Sequence, residues 1–157
     1  MAGLYVIQKH AATTLHYDFR LEVGGALKSW AVPKGPSLNP AHKRLAVQVE
    51  DHDLRHANFE GKIGEDRYGA GNVIIWDRGT YEVIPLPTGE LSIDARLKLG
   101  IIEFRLYGEK LKGRWRLVKI KQKERDWLLI KGNDEYASRT GDILRERPES
   151  VVSGRSP

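Results

Sequence analysis

Three residues able to do chemistry stand at alternate positions of one short run, LHYDFRLEV at 15–23: His16, Asp18 and Arg20. Side chains of an extended strand alternate faces, so these three project together, neighbours about 6–7 Å apart. Leu15, Tyr17, Phe19, Leu21 and Val23 form the apolar opposite face. An imidazole and a carboxylate at that spacing can close on one divalent ion. His10 ends the preceding run, across the polar turn AATT, and a hairpin of 4–10 with 15–23 sets it beside His16. Two imidazoles and a carboxylate make a mixed N/O donor set that suits Mn, Fe(II) or Zn and leaves positions for water or substrate. Surface histidines and an Asp18–Arg20 pair are the plainer reading of H-x-D alone. Arg20 on the same face fits neither a core nor a simple metal clip, which favours the chemical reading.

A second run, RLAVQVEDH at 44–52, has the same logic. Its alternation predicts Leu45, Val47 and Val49 inward, with Arg44, Gln48, Glu50 and His52 on the other face. Arg20, Arg44 and Lys34 suit phosphate oxygens, arginine bidentately. His52 suits a phosphate hydrogen bond or protonation of a leaving group. Together these residues describe a metal-assisted phosphoester site.

The elements that must carry them are short. Apolar or alternating runs at 4–8, 15–23, 26–32, 44–50, 72–76, 80–84, 101–107, 114–120 and 127–131, separated by Gly and Pro, predict a mainly β chain. Such spacing reads as an antiparallel barrel or sandwich. EVGGA predicts a hairpin turn at Gly24-Gly25. The parity change between Leu117 and Val118 predicts a bulge. Residues 90–100, ELSIDARLKLG, predict a helix of one or two turns stopped by Gly100, and 33–43 a stiff Pro-rich loop whose His42 is a surface residue. The division expected is a barrel domain over 1–140 and a tail or linker over 141–157, whose RERPESVVSGRSP has little to bury.

The chain has 157 residues, 40% of them hydrophobic, enough for one domain with a sizeable core. It has no cysteine, which excludes disulfides, thiolate zinc sites, iron–sulfur clusters and thiol nucleophiles. The N-terminus lacks an apolar run of signal-peptide length, and no segment is apolar enough to span a bilayer, so a soluble cytoplasmic protein is expected. Net charge is +5, but residues 110–125 hold eight basic residues and one acid. That stripe, with Arg114, Arg116, Lys119 and Lys121 around Trp115, has the look of a face for a polyanion backbone.

The blocks VIQKHAATTLHYDFRLEVGGALKSWAVPKGPS, KRLAVQVEDH, FEGKI, YGAGNVIIWDRGTYE and GRWRLVK closely resemble the 3′-phosphoesterase module of bacterial DNA ligase D and its stand-alone relatives, from about residue 4 to about 131. The resemblance implies a compact β-barrel and a Mn-dependent activity, with Co or Zn as other candidate ions, that heals DNA 3′ ends during non-homologous end joining. In that family a terminal ribonucleoside is removed from a primer strand of a primer-template, leaving a 3′-phosphate that is then hydrolysed to 3′-OH. A DNA ligase or polymerase, fused or separate, is the implied partner. By motif, His10, His16 and Asp18 match the metal ligands, Arg20 and His52 the groups on the phosphate, and Gln8, Lys34, Arg44 and Glu50 functional or supporting positions.

Three departures stand out. DHDLRH puts His56 where the family usually has an active-site tyrosine, and Gly64-Glu65-Asp66 stands where Pro-Glu-Gly is common. The sequence given also starts almost at the first strand, without the family's preceding polar arm. Two rivals remain: a non-catalytic nucleic-acid-binding barrel, and a non-haem Fe(II) oxygenase using His16, Asp18 and His52, which leaves His10 and Arg20 unexplained.

Overall fold

The computed structural model describes residues 2–11, 13–63, 71–87, 89 and 92–156. Their chain order is β1 (Ala2–Ala11), β2 (Leu15–Val23), β3 (Ala26–Val32), β4 (Arg44–Asp53), a 3₁₀ helix (Leu54–Asn58), β5 (Gly61–Ile63), β6 (Gly71–Val83), α1 (Ile93–Leu99), β7 (Ile101–Gly108), β8 (Lys112–Lys119), β9 (Asp126–Lys131) and α2 (Ile143–Glu146). Every pairing is antiparallel, in the order β1-β2-β3-β4-β9-β8-β7-β6, and β6 returns to β1. Eight strands thus close a barrel, and closure removes the exposed sheet edges that invite wrong pairing. β5 pairs with the start of β6, beyond the reach of β7. No described helix is long and apolar enough to cross a membrane.

The alternation of β2 sends Tyr17, Phe19, Leu21 and Val23 inward; Leu15, at the strand's start, stays exposed. Phe19 packs near Tyr5, Trp30 and Phe104, and Trp30 meets Trp127 edge to face at 5.9 Å. All four tryptophans are buried, Trp115 included, so the indole within the basic stripe belongs to the core. The Gly24-Gly25 turn has φ of 59° and 85°, as a two-residue hairpin requires. Helix α1 begins at Ser92, whose Oγ accepts from the Ala95 amide, and ends at left-handed Gly100. Leu91 lies outside the described residues. Buried Arg96 donates to the Ile84 and Ile101 carbonyls, tying α1 to the ends of β6 and β7.

Three expectations change. The runs 72–76 and 80–84 are one strand: the WDRG between them resembles a turn signal, but Asp77 is fully buried beneath the β7–β8 turn. Gly79 is needed there because a Cβ would overlap the Tyr107 carbonyl. No bulge occurs at Leu117–Val118, where both ladders of β8 run unbroken and Val118 is half-buried on the outer face. The register shifts lie instead at Ile7/Gln8 against β6 and at Leu27/Ser29 against β4.

The third change concerns the last residues, which pack on the barrel rather than trail from it. Ile143 and Leu144 join the core, Ser150 is buried, and the Val151 amide donates to the Ile75 carbonyl at 2.9 Å. Trp76 Nε1 donates to the Arg147 carbonyl, and Lys110 Nζ donates to the carbonyls of Arg147 and Glu149. Most of these bonds use backbone acceptors, which composition does not reveal. Val151 also packs on the cluster of Val6, Leu27, Ala57 and Ile75, reaching the 3₁₀ helix.

Candidate metal centre

The β1–β2 hairpin forms as its alternation predicts, in the register His10↔His16, Gln8↔Asp18 and Val6↔Arg20. The two imidazoles lie 4.9 Å apart between centroids, and one ligand atom from each of His10, His16 and Asp18 falls within 4.8 Å of the others. His16 Nδ1 lies 3.2 Å from the Thr14 carbonyl, which makes that nitrogen the donor and leaves Nε2 facing Asp18 Oδ2 at 3.4 Å. Metal bonds of about 2.0–2.2 Å put the ligand atoms of one ion roughly 3–4 Å apart. Small side-chain rotations would therefore close the three on an ion, and the donor set fits a divalent cation. Burial alone would push the Asp18 carboxyl up, but the His16 hydrogen bond and the charges of Arg20, His16 and His10 hold it below the usual range. Asp18 is thus an anion before any metal arrives.

Arg20 is 3% exposed although it lies on the outer face. Its Nε donates to Gln8 Oε1 at 2.8 Å, its Nη1 to Ser29 Oγ at 2.7 Å, and its Nη2 lies 3.4 Å from Asp18 Oδ2. The guanidinium is held from two sides, with Nη2 turned toward the metal ligands. Gln8, fully buried, donates from Nε2 to the carbonyls of His56 at 2.7 Å and Phe59 at 3.1 Å. Its amide is committed to protein partners, and its Oε1 orients the Arg20 guanidinium.

β4 reverses the expected faces. Ala46 is buried and Gln48 accepts from core Trp127 Nε1 at 3.2 Å, while Leu45 and Val49 are 42% and 37% exposed. Arg44 shares the inward parity and pairs with Leu129. It lines a pocket of about 140 Å³ with His42, Ser37 and Ser138. On unbroken parity His52 would also point inward. The shift between Leu27 and Ser29 adds one residue to β4 around Glu50–Asp51, pairs Leu27 with His52, and so turns His52 to the Arg20 face. Glu50 and Lys34 are exposed.

His52 stacks on His56 at 4.6 Å, and His56 stacks on Phe59 at 5.6 Å with planes 8° apart. Burial, then the charge of Arg20, lowers the His56 pKa from 6.5 to about 4. Burial and Arg20 lower His52 in the same way. Both rings are neutral at neutral pH, able to donate one hydrogen bond each and accept another. Ser29 and Phe59 were missed from sequence. A serine amid the apolar ALKSWAV was the available signal for the first; Phe59 had none.

Of the basic stripe, Lys112, Arg114, Arg116 and Lys119 are exposed on β8, while Lys110 is buried under the C-terminal segment. β8 stands four strands from β2 either way round an eight-stranded barrel, on the opposite wall.

The family model of the DNA ligase D 3′-phosphoesterase domain matches residues 8–119, which hold every residue of this centre. The chain belongs to that family. It is 52% identical over 97% of its length to the multifunctional non-homologous end joining protein LigD of Pseudomonas aeruginosa. Its identity to the protein of that name from Mycolicibacterium smegmatis is 41% over 88% of the chain. Against the multifunctional non-homologous end joining DNA repair protein LigD of Mycobacterium tuberculosis it is 45% over 73%. The chain spans less than a fifth of the length of each of these curated relatives. In this chain the candidate metal hairpin, the Arg20 clamp and the His52–His56 stack share the outer face of the barrel. The Gly64-Glu65-Asp66 departure lies outside the described residues.

The depressed His56 pKa makes stability pH-dependent. Because the folded value lies below the ordinary 6.5, the unfolded chain takes up the proton first as pH falls. The contribution is whole above pH 6.5 and is lost between 6.5 and about 4. His56→Gln should therefore flatten the fall of the thermal midpoint across that window. An unchanged slope would mean that the ring is solvated.

Proposed function

We propose that this chain is a metal-dependent phosphoesterase acting on DNA 3′ ends during end joining: a phosphodiesterase toward a 3′-terminal ribonucleoside, then a phosphomonoesterase toward the resulting 3′-phosphate. The observation that carries the proposal is the approach of His10, His16 and Asp18 to within one ion's reach, beside a clamped Arg20. A divalent ion, for which manganese is our first choice and cobalt or zinc the others, would supply Lewis-acid polarisation of a phosphate oxygen.

The chain's own residues supply the rest. Arg20 offers Nη2 to a non-bridging oxygen without having to be ordered first, since Nε and Nη1 are already bonded. His52 and His56, neutral and stacked, would each donate a hydrogen bond to the phosphate or to the departing oxygen. A ribonucleotide end adds a 2′-OH that DNA lacks, a physical basis for preferring it. Lys34 and Glu50, both exposed, are proposed to contact substrate only as it enters. A ligase or polymerase, joined to this chain or separate, would use the 3′-OH, in keeping with the end-joining names of the relatives.

The test is a 5′-labelled primer on a longer template, ending in one ribonucleotide, incubated with manganese or with chelator. Conversion through 3′-phosphate to 3′-OH only with metal is the expected result. Arrest at 3′-phosphate would overturn the second step and point to His56, and DNA binding with no conversion would favour a non-catalytic barrel. Gln8→Ala should lower turnover by about 10–100-fold by freeing Arg20, with metal affinity unchanged. Gln8→Glu, which keeps the acceptor for Arg20 but turns a carboxylate oxygen on the His56 and Phe59 carbonyls, should recover only part of that loss.

A further inference from the structure

The basic wall of the barrel is not part of the centre just described. Lys98, Lys119, Lys121 and Lys123 border one depression of about 390 Å³ where α1 meets the turn after β8, with Glu124 the one acid lining it. All four lysines are exposed, and none has an ion pair with another described residue. These lysines form a basic ridge; on β8, Lys112 and Arg116 are exposed as well, while Arg114 is paired with Glu103 at 2.8 Å. The turn is fixed by bonds from the Ile120 amide to the Asp126 carbonyl and from the Lys123 amide to the Ile120 carbonyl. Like charges gathered around one depression repel unless a polyanion lies among them.

We infer that this ridge binds the phosphate backbone of a second duplex, distinct from the one whose 3′ end lies at the metal centre. The inference rests on the nucleic-acid reading of that centre. Two observations carry it. The first is position: β8 and β2 are on opposite walls. Smoothly bending 20–30 base pairs of DNA by even 40–90° costs about 1–6 kcal/mol. A duplex lying on the site wall therefore does not wrap round to the ridge. The second is chemistry: the depression is bordered by four lysines, and no aromatic side chain lines it. That suits a regular line of phosphates better than a protein partner, whose interface centres on aromatic anchors. The module would thus hold two duplexes at once, one at each wall.

The experiment is capture of a labelled blunt duplex by a bead-bound duplex, with protein as the only link. The triple variant Lys119→Glu, Lys121→Glu, Lys123→Glu is compared with wild type. Expected are at least a tenfold loss of capture and a salt-dependence slope smaller by roughly 3. Turnover on a short blunt duplex should stay within twofold, which also reports that the variant is folded. Equal capture by the variant, as for a surface that serves an acidic protein, would overturn the inference. So would a matching loss of turnover on the short duplex, because ridge and centre would then hold one DNA. A loss of turnover confined to substrates with single-stranded overhangs, with capture unchanged, would assign the ridge to the same substrate and overturn it too. Capture needs no catalysis: capture without turnover would sink the reaction alone, and turnover without capture the second surface alone.

Discussion

Asp18→Ala is expected to lower turnover at a 3′ phosphoester by about a thousandfold or more. Removing it takes away one donor of the candidate centre, and the ion's polarisation of the phosphate is worth several kcal/mol. It also strips Arg20, 3% exposed, of the carboxylate 3.4 Å from Nη2. Gln8 and Ser29 still hold the guanidinium, so the fold should survive at a cost of about 1–3 kcal/mol. His16→Ala separates the two effects, because it removes a ligand and leaves the Asp18–Arg20 pair. Both variants should lose manganese binding by calorimetry along with activity, and Asp18→Ala alone should melt appreciably lower. Retained turnover in both would overturn the metal assignment.

The contrast between β2 and β4 shows what could be read from sequence and what could not. In β2 the apolar residues alternate without a slip, so His16, Asp18 and Arg20 had one possible face once a strand formed. The short AATT turn then placed His10. In β4 the apolar residues alternate too, but Leu45, Val47 and Val49 line the outer face, because the core there takes Ala46 and the Gln48 bond to Trp127. The extra residue that returns His52 to the site is a property of the ladder with β3, formed between segments about twenty residues apart. Local periodicity carries no record of such a shift. The same holds for the basic stripe: its charge was legible, but its wall depends on how the ring of strands closes.

Asp77→Ala is expected to cost about 4 kcal/mol or more, one of the largest losses available to a single substitution outside the centre. Asp77 is fully buried and fills its acceptor capacity. Oδ1 accepts from the Glu109 and Lys110 amides, each at 2.9 Å, and Oδ2 from the Leu111 amide at 2.9 Å and the Tyr5 hydroxyl at 2.8 Å. Alanine would strand three backbone donors and a phenol where water has no ready access. At about 2–4 °C per kcal/mol for a chain of this size, the thermal midpoint should fall by on the order of 10 °C. Asp77→Asn keeps one oxygen but turns an NH₂ group on the remaining donors, and should recover only part of the loss. Tyr5→Phe should cost about 1 kcal/mol alone and little in the Asp77→Ala background, since its partner has already gone. The damage should also travel. The turn that Asp77 holds carries Lys110, Lys110 holds the backbone of Arg147 and Glu149, and the segment that follows rests Val151 against Ala57 of the His56 helix. Asp77→Ala should therefore lower turnover well below its melting temperature, which hydrogen exchange at residues 54–58 would register as lost protection. A midpoint within about 3 °C of wild type, the equivalent of 1 kcal/mol, would mean that the turn is held by its strands alone.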